Sequence, residues 1–243
     1  MKNFLFVIPA RGGSKGVKKK NMKLLAGKPL FWHISEKALQ VKNIYSEGNI
    51  DIVVSSDDHE IIKSANELSP ELAPFTRPDE LANDNSESIF TVIHALNWME
   101  KKHEKQYDYI SLLQPTSPLI EANDILNVLN KIDNDTYFNS WTTITQSFIH
   151  PFKMKRLAVS GEIFNYIDQG FEDMRPRQIL PPVYKRSGAI YITKRDIGVN
   201  NESIINDPCF GLELPYERAI DIDTLMDFDQ VKLILKEKEN AKS

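Results

Sequence analysis

Short, dense apolar runs alternate along the first half of this chain with longer stretches whose apolar residues keep to one side. Residues 4–9 (FLFVIP), 51–56 (DIVVSS) and 107–115 (YDYISLLQP) are the dense runs. Runs of that length, rich in aliphatic residues and closed by glycine, aspartate or proline, predict strands buried on both faces. Between them, 30–41, the segment after Asp58, 86–102 and 121–132 have helical spacing. Ile61, Ile62, Ala65 and Leu68 share one helical face, as do Ile89, Val92, Ile93, Leu96 and Met99. Asp57 or Asp58 can cap the first of these two helices, and Ser86 and Ser88 stand where caps of the second are expected. A short extended piece at 73–76 and a loop at 77–85 lie between them. The alternation predicts an α/β domain, its mostly parallel twisted sheet covered by helices on both faces.

Near residue 137 the rhythm changes. TYFNSWTTITQSF, PFKMKRL and GEIFNYI read as strands separated by turns, and 168–186 is rich in proline and arginine with little periodicity. A strand returns at 188–193 and a helix closes the pattern near 224–237. Extended segments inserted into an α/β domain suggest an arm, here about 140–186, whose open edges suit pairing with a second subunit. The expectation is one domain over 1–243 carrying that arm.

With 243 residues, 41% hydrophobic and 26% charged, the composition is that of an ordinary globular chain. The net charge of −4 argues against a general nucleic-acid binder. Cys209, the single cysteine, excludes an intrachain disulfide and a cysteine metal cluster and suits a reducing compartment. No apolar run reaches membrane length, and the run at 4–9 is too short for a signal sequence. A cytoplasmic protein is expected, with neither membrane nor nucleic acid as partner.

Charge is far from uniform. From Met1 to Ser35 there is no acidic residue, yet Lys2, Arg11, Lys15, Lys18, Lys19, Lys20, Lys23 and Lys28 all occur there. Gly12, Gly13 and Gly16 follow the first strand at once. Glycines let backbone N–H groups approach an anion and the cations neutralise it, a pattern suited to a polyphosphate. Ligands of open α/β sheets bind at the carboxyl ends of strands, where this loop falls. Neither GxGxxG nor GxxxxGK followed by Ser or Thr is present, so the usual dinucleotide fold and the P-loop are unsupported. On its own the KKK run also fits a solvated surface patch.

Four further groups carry candidate chemistry. Asp221 and Asp223 in IDIDT can aim two carboxylates at one Mg²⁺, which takes few protein ligands beside phosphate oxygens and water. Asp223 also precedes an apolar helix and could simply cap it. Gln114, in LLQPTSPL at a strand end, offers both a donor and an acceptor to a nucleobase edge. Arg77, before a proline in an extended loop, can present its fork to a carbonyl or phosphate. In the arm, Lys153, Arg175, Arg177, Lys185 and Arg186 form a second basic set suited to a carboxylate-bearing substrate. His33, His59, His94 and His103 lack ligand spacing and read as structural.

IPARGGSKG with Lys20-Asn21, RPDELAND, LLQPTSPL, PRQILP leading to GAIYI, and DIDT, in that order, closely resemble the bacterial CMP-sialic acid synthetases. That family of cytidylyltransferases acts on nine-carbon 2-keto acid sugars and includes CMP-legionaminic and CMP-pseudaminic acid synthetases. The resemblance spans about residues 5–230; no single block is specific, but five in register are. It implies a Rossmann-like fold of the nucleotide-diphospho-sugar transferase type and a homodimer whose arm reaches into the partner's site. It also implies Mg²⁺ (or Mn²⁺) and transfer of CMP from CTP to the anomeric hydroxyl of the sugar, with pyrophosphate leaving.

On the matching positions, Arg11, Gly12, Gly13, Ser14, Lys15 and Lys20 would serve the triphosphate, with Asn21 nearby. Arg77, Ser86 and Ser88 would serve the rest of the nucleotide. Asp221 and Asp223 would hold the metal and, with Arg11 and Lys20, carry the catalysis. Gln114, Lys153, Arg177, Lys185 and Ser187 would meet the sugar, part of this set coming from the neighbouring subunit. No general base stands out. Two departures appear: Lys18 replaces a usual proline, and Arg186-Ser187-Gly188 stands where sialate enzymes commonly read Asn-Gly. The second change lies near the sugar and favours a legionaminate-like acceptor over N-acetylneuraminate. A 3-deoxy-manno-octulosonate cytidylyltransferase and a GT-A glycosyltransferase with a D-x-D metal site are the alternatives.

Overall fold

The computed structural model describes residues 1–14 and 16–240. Lys15 therefore lies outside the described residues. In chain order the elements are β1 (Lys2–Pro9), β2 (Leu24–Leu25), β3 (Lys28–Pro29), α1 (Leu30–Ile44), β4 (Gly48–Ser55), α2 (His59–Leu68), α3 (Ser88–His103) and β5 (Tyr109–Leu113). Then come α4 (Ala122–Asn134), β6 (Ser140–Gln146), β7 (Lys155–Leu157), β8 (Ile163–Asn165), β9 (Tyr184–Lys194), α5 (Arg195–Asn200), β10 (Cys209–Glu213) and α6 (Leu225–Asn240).

Six strands form one sheet in the order β10-β6-β9-β5-β1-β4. β1 lies parallel to β4 and β5, and β10 parallel to β6. β9 runs antiparallel to both its neighbours. The sheet is thus mostly parallel, as expected from the alternating pattern.

The continuous apolar run of β1 has a direct cause. Phe4, Phe6 and Ile8 point to one face, against Phe31, Ile34 and Ala38 of α1 and Ile125 and Leu129 of α4. Leu5 and Val7 point to the other, against Ile89, Val92 and Leu96 of α3. Both faces of the strand are covered, so neither alternate position can be polar. A third cluster, Leu25, Leu30, Leu119, Ile222, Phe228 and Val231, anchors α6 and the Asp221–Asp223 segment beside the start of α1.

Two expected boundaries move. Ser140–Gln146 pairs with β9 and β10 inside the main sheet, and β9 already begins at Tyr184. The segment outside the sheet is therefore 147–183 rather than 140–186. It carries the β7–β8 hairpin and many exposed apolar side chains, including Leu157, Val159, Ile163, Phe164 and Met174. α3 starts at Ser88, with Glu87 before it and no side-chain cap, so neither Ser86 nor Ser88 caps the helix.

Candidate active site

At the carboxyl ends of β1, β4 and β5 the chain leaves the sheet through three loops, which form the walls of one cleft. A first cavity of about 280 Å³ is lined by Arg11, Gly13, Ser14, Lys20 and Asn21 of the first loop, and by Arg77, Ser86, Ser88 and Thr91. Gln114, Thr116, Asp221 and Asp223 complete it. A second cavity of about 470 Å³ is lined by Lys185, Arg186, Ser187, Gly188, Tyr216 and Gln230. Gln114, Asp221 and Asp223 line both, so the two are halves of one cleft.

The first loop is held from several sides. Asn21, buried, donates from Nδ2 to the Arg11 carbonyl at 2.9 Å. The Gly12 N–H donates to Asp57 Oδ1 at 3.1 Å. Lys20 Nζ donates to the Ile222 carbonyl at 2.7 Å and lies 3.5 Å from Asp223 Oδ1. A Cβ on Gly16 would run into the Asp223 carbonyl oxygen, so glycine is what lets the loop touch the acidic segment. Arg11 Nη2 pairs with Asp84 Oδ1 at 2.6 Å. By contrast Lys19 pairs with Glu60 at 2.7 Å, and neither Lys18 nor Lys19 lines the cleft.

Arg77 enters from the side wall, only 3% exposed. Burial lowers its pKa, and the neighbouring Asp57 works against that shift. Ser86 and Ser88, free of capping, present their side chains to the same wall.

Between the two cavities stand the carboxylates. Asp221 is largely buried, and desolvation pushes its carboxyl above the usual range, the neighbouring Asp223 adding to the effect and a Thr116 hydrogen bond opposing it. Its Oδ1 is buried with no hydrogen-bond partner among the described residues. Asp223 is exposed (side chain 77%). It does not cap α6: Asp227 Oδ2 accepts from the N–H groups of Asp223 and Thr224 at 3.1 and 2.7 Å. The Ile222 N–H donates to the Thr116 carbonyl at 2.8 Å, tying this segment to the loop after β5. An orphaned buried carboxylate oxygen next to a second, accessible carboxylate fits a hard divalent cation. No group of three or more His, Cys, Asp or Glu suited to a metal occurs among the described residues. Phosphate oxygens and water would have to supply the other ligands.

The second cavity receives Lys185 and Arg186 from β9. Gly188 has φ +85° and its missing Cβ faces Asp221 Oδ2, so the strand can pass close to the carboxylate. Ser187 lines the cavity, and its hydroxyl is hydrogen-bonded to that of Thr143 in the buried sheet at 2.6 Å. Lys153 and Arg177 do not join the cleft of their own chain. The Lys153 ammonium donates to the Asp173 carbonyl. Arg177 stacks 4.8 Å over Phe148 and lines a separate hollow with His150.

Sequence reasoning missed Thr91 and Thr116 in the first cavity and Tyr216 and Gln230 in the second. Tyr216 opens a short 3-10 helix and Gln230 lies in the second turn of α6, where no local pattern marks a ligand contact.

A family model described as cytidylyltransferase matches residues 5–237. CMP-N,N'-diacetyllegionaminic acid synthase of Legionella pneumophila is 31% identical over 240 residues, 98% of each chain. Pseudaminic acid cytidylyltransferase of Campylobacter jejuni is 31% identical over 238 residues, 97% of each. N-acylneuraminate cytidylyltransferase of Escherichia coli is 27% identical over 97% of this chain, which spans about half of that protein (53%). Among solved structures, a CMP:2-keto-3-deoxy-manno-octonic acid synthetase complexed with CTP superimposes with a TM-score of 0.68 at 19% identity, covering 98% of this chain and all of that one. At that identity the likeness concerns the fold.

Proposed function

Because this chain belongs to the cytidylyltransferase family, we propose that it transfers CMP from CTP to the anomeric hydroxyl of a nine-carbon 2-keto acid sugar. Pyrophosphate is the second product. The observation that carries this reading is the divided cleft, whose two cavities meet at Gln114, Asp221 and Asp223. A nucleotidyl transfer needs that layout: donor on one side, acceptor on the other, and the α-phosphate at the junction.

Arg11, Lys20 and the amides of Gly13 and Ser14 would take the triphosphate. Cations and backbone donors fixed beforehand offset charge that builds up as pyrophosphate departs, with little reorganisation during the reaction. Arg77, Ser86 and Ser88 would meet the base and ribose, and Lys185 with Arg186 the sugar carboxylate. Asp221 and Asp223 would hold Mg²⁺ (or Mn²⁺), which when bound draws charge off the α-phosphate oxygens. Lys20, bonded to the Ile222 carbonyl, keeps the triphosphate loop and the two carboxylates in register.

The relatives named for legionaminic and pseudaminic acids favour an acceptor of that kind, in keeping with Arg186-Ser187-Gly188 on β9. The octulosonate alternative rests on a shared fold alone. A homodimer follows from this reading, since Lys153 and Arg177 lie outside their own cleft while the 147–183 segment exposes apolar side chains that a second copy would cover. No helix among the described residues is long and apolar enough to cross a membrane, and a CTP-consuming enzyme with one free thiol suits the cytoplasm.

Pyrophosphate release from CTP and Mg²⁺, with a panel of nonulosonic acids and 3-deoxy-manno-octulosonate, tests the reading. Release that depends on a nonulosonic acid is expected. Release with the octulosonate alone, or with none of the acids, would overturn it.

A further inference from the structure

Arg77 is a cation almost without water, and a buried charge is tolerated only when it is paired. Its Nη2 lies 3.3 Å from Asp57 Oδ1. The same oxygen accepts the Gly12 N–H at 3.1 Å. One carboxylate oxygen thus joins the side wall of the cleft to the backbone of the triphosphate loop. Asp57 does not itself line either cavity.

The surroundings make this joint specific. Asp57 and Asp58 follow β4 with Ser56 between, and they divide two tasks. Asp58 Oδ1 caps α2 by accepting the Glu60 N–H at 2.7 Å. Asp57 is left to face the loop. A Cβ on Gly12 would lie 2.6 Å from Asp58 Oδ2, so only glycine lets the loop rest on this acidic pair. The Arg77 backbone is fixed as well, its N–H donating to the Ser56 carbonyl at 2.7 Å. Arg11 and Arg77 stand close enough for the first to disfavour the charge on the second. Each guanidinium has its own carboxylate, Asp84 for Arg11 and Asp57 for Arg77.

We propose that Asp57 is a positioning residue for the nucleotide. It holds the Gly12 amide and the Arg77 guanidinium in one register without touching substrate. This rests on reading the first cavity as the CTP side. Losing Asp57 lets the loop and the guanidinium drift apart, which weakens nucleotide binding and leaves the acceptor half of the cleft as it was.

The test uses full-length Asp57→Ala and Asp57→Asn in the pyrophosphate assay, varying CTP and the acceptor separately. The CTP-induced rise in Tm without acceptor is measured alongside. For Asp57→Ala, KM for CTP should rise about tenfold, as expected for losing a hydrogen bond to a charged group, with a smaller CTP-induced rise in Tm. KM for the acceptor should stay within about twofold, because the two cavities are affected differently. Asp57→Asn keeps an acceptor for the Gly12 N–H but lacks the charge, so its effect should be intermediate.

A merely structural role would lower Tm and the active fraction while leaving KM for CTP unchanged, and that result overturns the proposal. A parallel rise in both KM values overturns it too. If Asp57→Ala is not recovered folded, KM for CTP in Asp57→Asn decides alone. A wild type with neither pyrophosphate release nor a CTP-dependent Tm shift defeats the CTP reading itself. A normal wild type beside variants of unchanged KM for CTP defeats only the role of Asp57.

Discussion

Arg11 and Asp223 show how differently two neighbours in one cleft can be judged from their types. An arginine after a strand and before glycines stands where an anion is expected to bind, and Arg11 lines the first cavity. Replacing it with alanine should lower kcat/KM by about 10²-fold or more, the usual loss for a preorganised charge donor, with Tm nearly unchanged. Near-normal turnover of Arg11→Ala would end its assignment to the triphosphate. Asp223 was ambiguous between ligand and cap until Asp227 proved to hold the start of α6. Asp223→Asn should therefore leave thermal stability almost intact and raise the Mg²⁺ concentration needed for half-maximal rate. An unchanged metal titration would return Asp223 to the surface.

The elements extend this view, because their contacts set where the loops lie. Gly16 sits against the Asp223 carbonyl, so Gly16→Ala should push the first loop off the acidic segment. Activity should fall by about 10²-fold, the cost that displacing a reacting group by about an ångström can reach, with little change in unfolding temperature. If stability falls and activity per folded molecule does not, the contact serves folding only. On α1, His33 Nε2 lies 2.8 Å from the Leu25 carbonyl, joining the helix to the short β2–β3 hairpin. Burial holds this imidazole below its ordinary 6.5. Just below that pH the unfolded chain binds more protons than the folded one, so stability falls as pH drops through the window. Unfolding temperatures measured from about pH 7 to about pH 5 should decline less steeply in His33→Gln, since that position no longer titrates. Equal slopes would remove His33 as a cause.

Whole-molecule behaviour turns on the 147–183 segment. Its exposed Leu157, Ile163 and Phe164 should be covered in a dimer, and light scattering should give twice the chain mass of 27.9 kDa. Leu157→Asp with Phe164→Asp should shift it to monomer. If the arm completes the partner's cleft, Lys153→Ala and Asp221→Asn should each be nearly inactive, yet their mixture should regain activity through hybrid dimers. A mixture no more active than its parts would show that each chain works alone.

Much of this protein was legible from its sequence, for one physical reason. Buried strands must be apolar on both faces and helices on one, so β1, β4, β5 and the four long helices after them announced themselves locally, and glycines beside cations marked the loop after β1, whose Arg11, Gly13 and Lys20 line the cleft. Five ordered motifs added the family. Direction and register were not legible: an apolar strand reads alike in both senses, so antiparallel β9 and the inclusion of Ser140–Gln146 in the sheet needed the pairing itself. Nor could local pattern tell which polar residue faces the cleft and which is already taken. Only packing decided that the Ser187 hydroxyl bonds to that of Thr143, that Lys153 and Arg177 stand apart from their own cleft, and that Asp57 joins Gly12 to Arg77. Those facts depend on which distant segments share a few ångströms, and spacing along one chain does not record that.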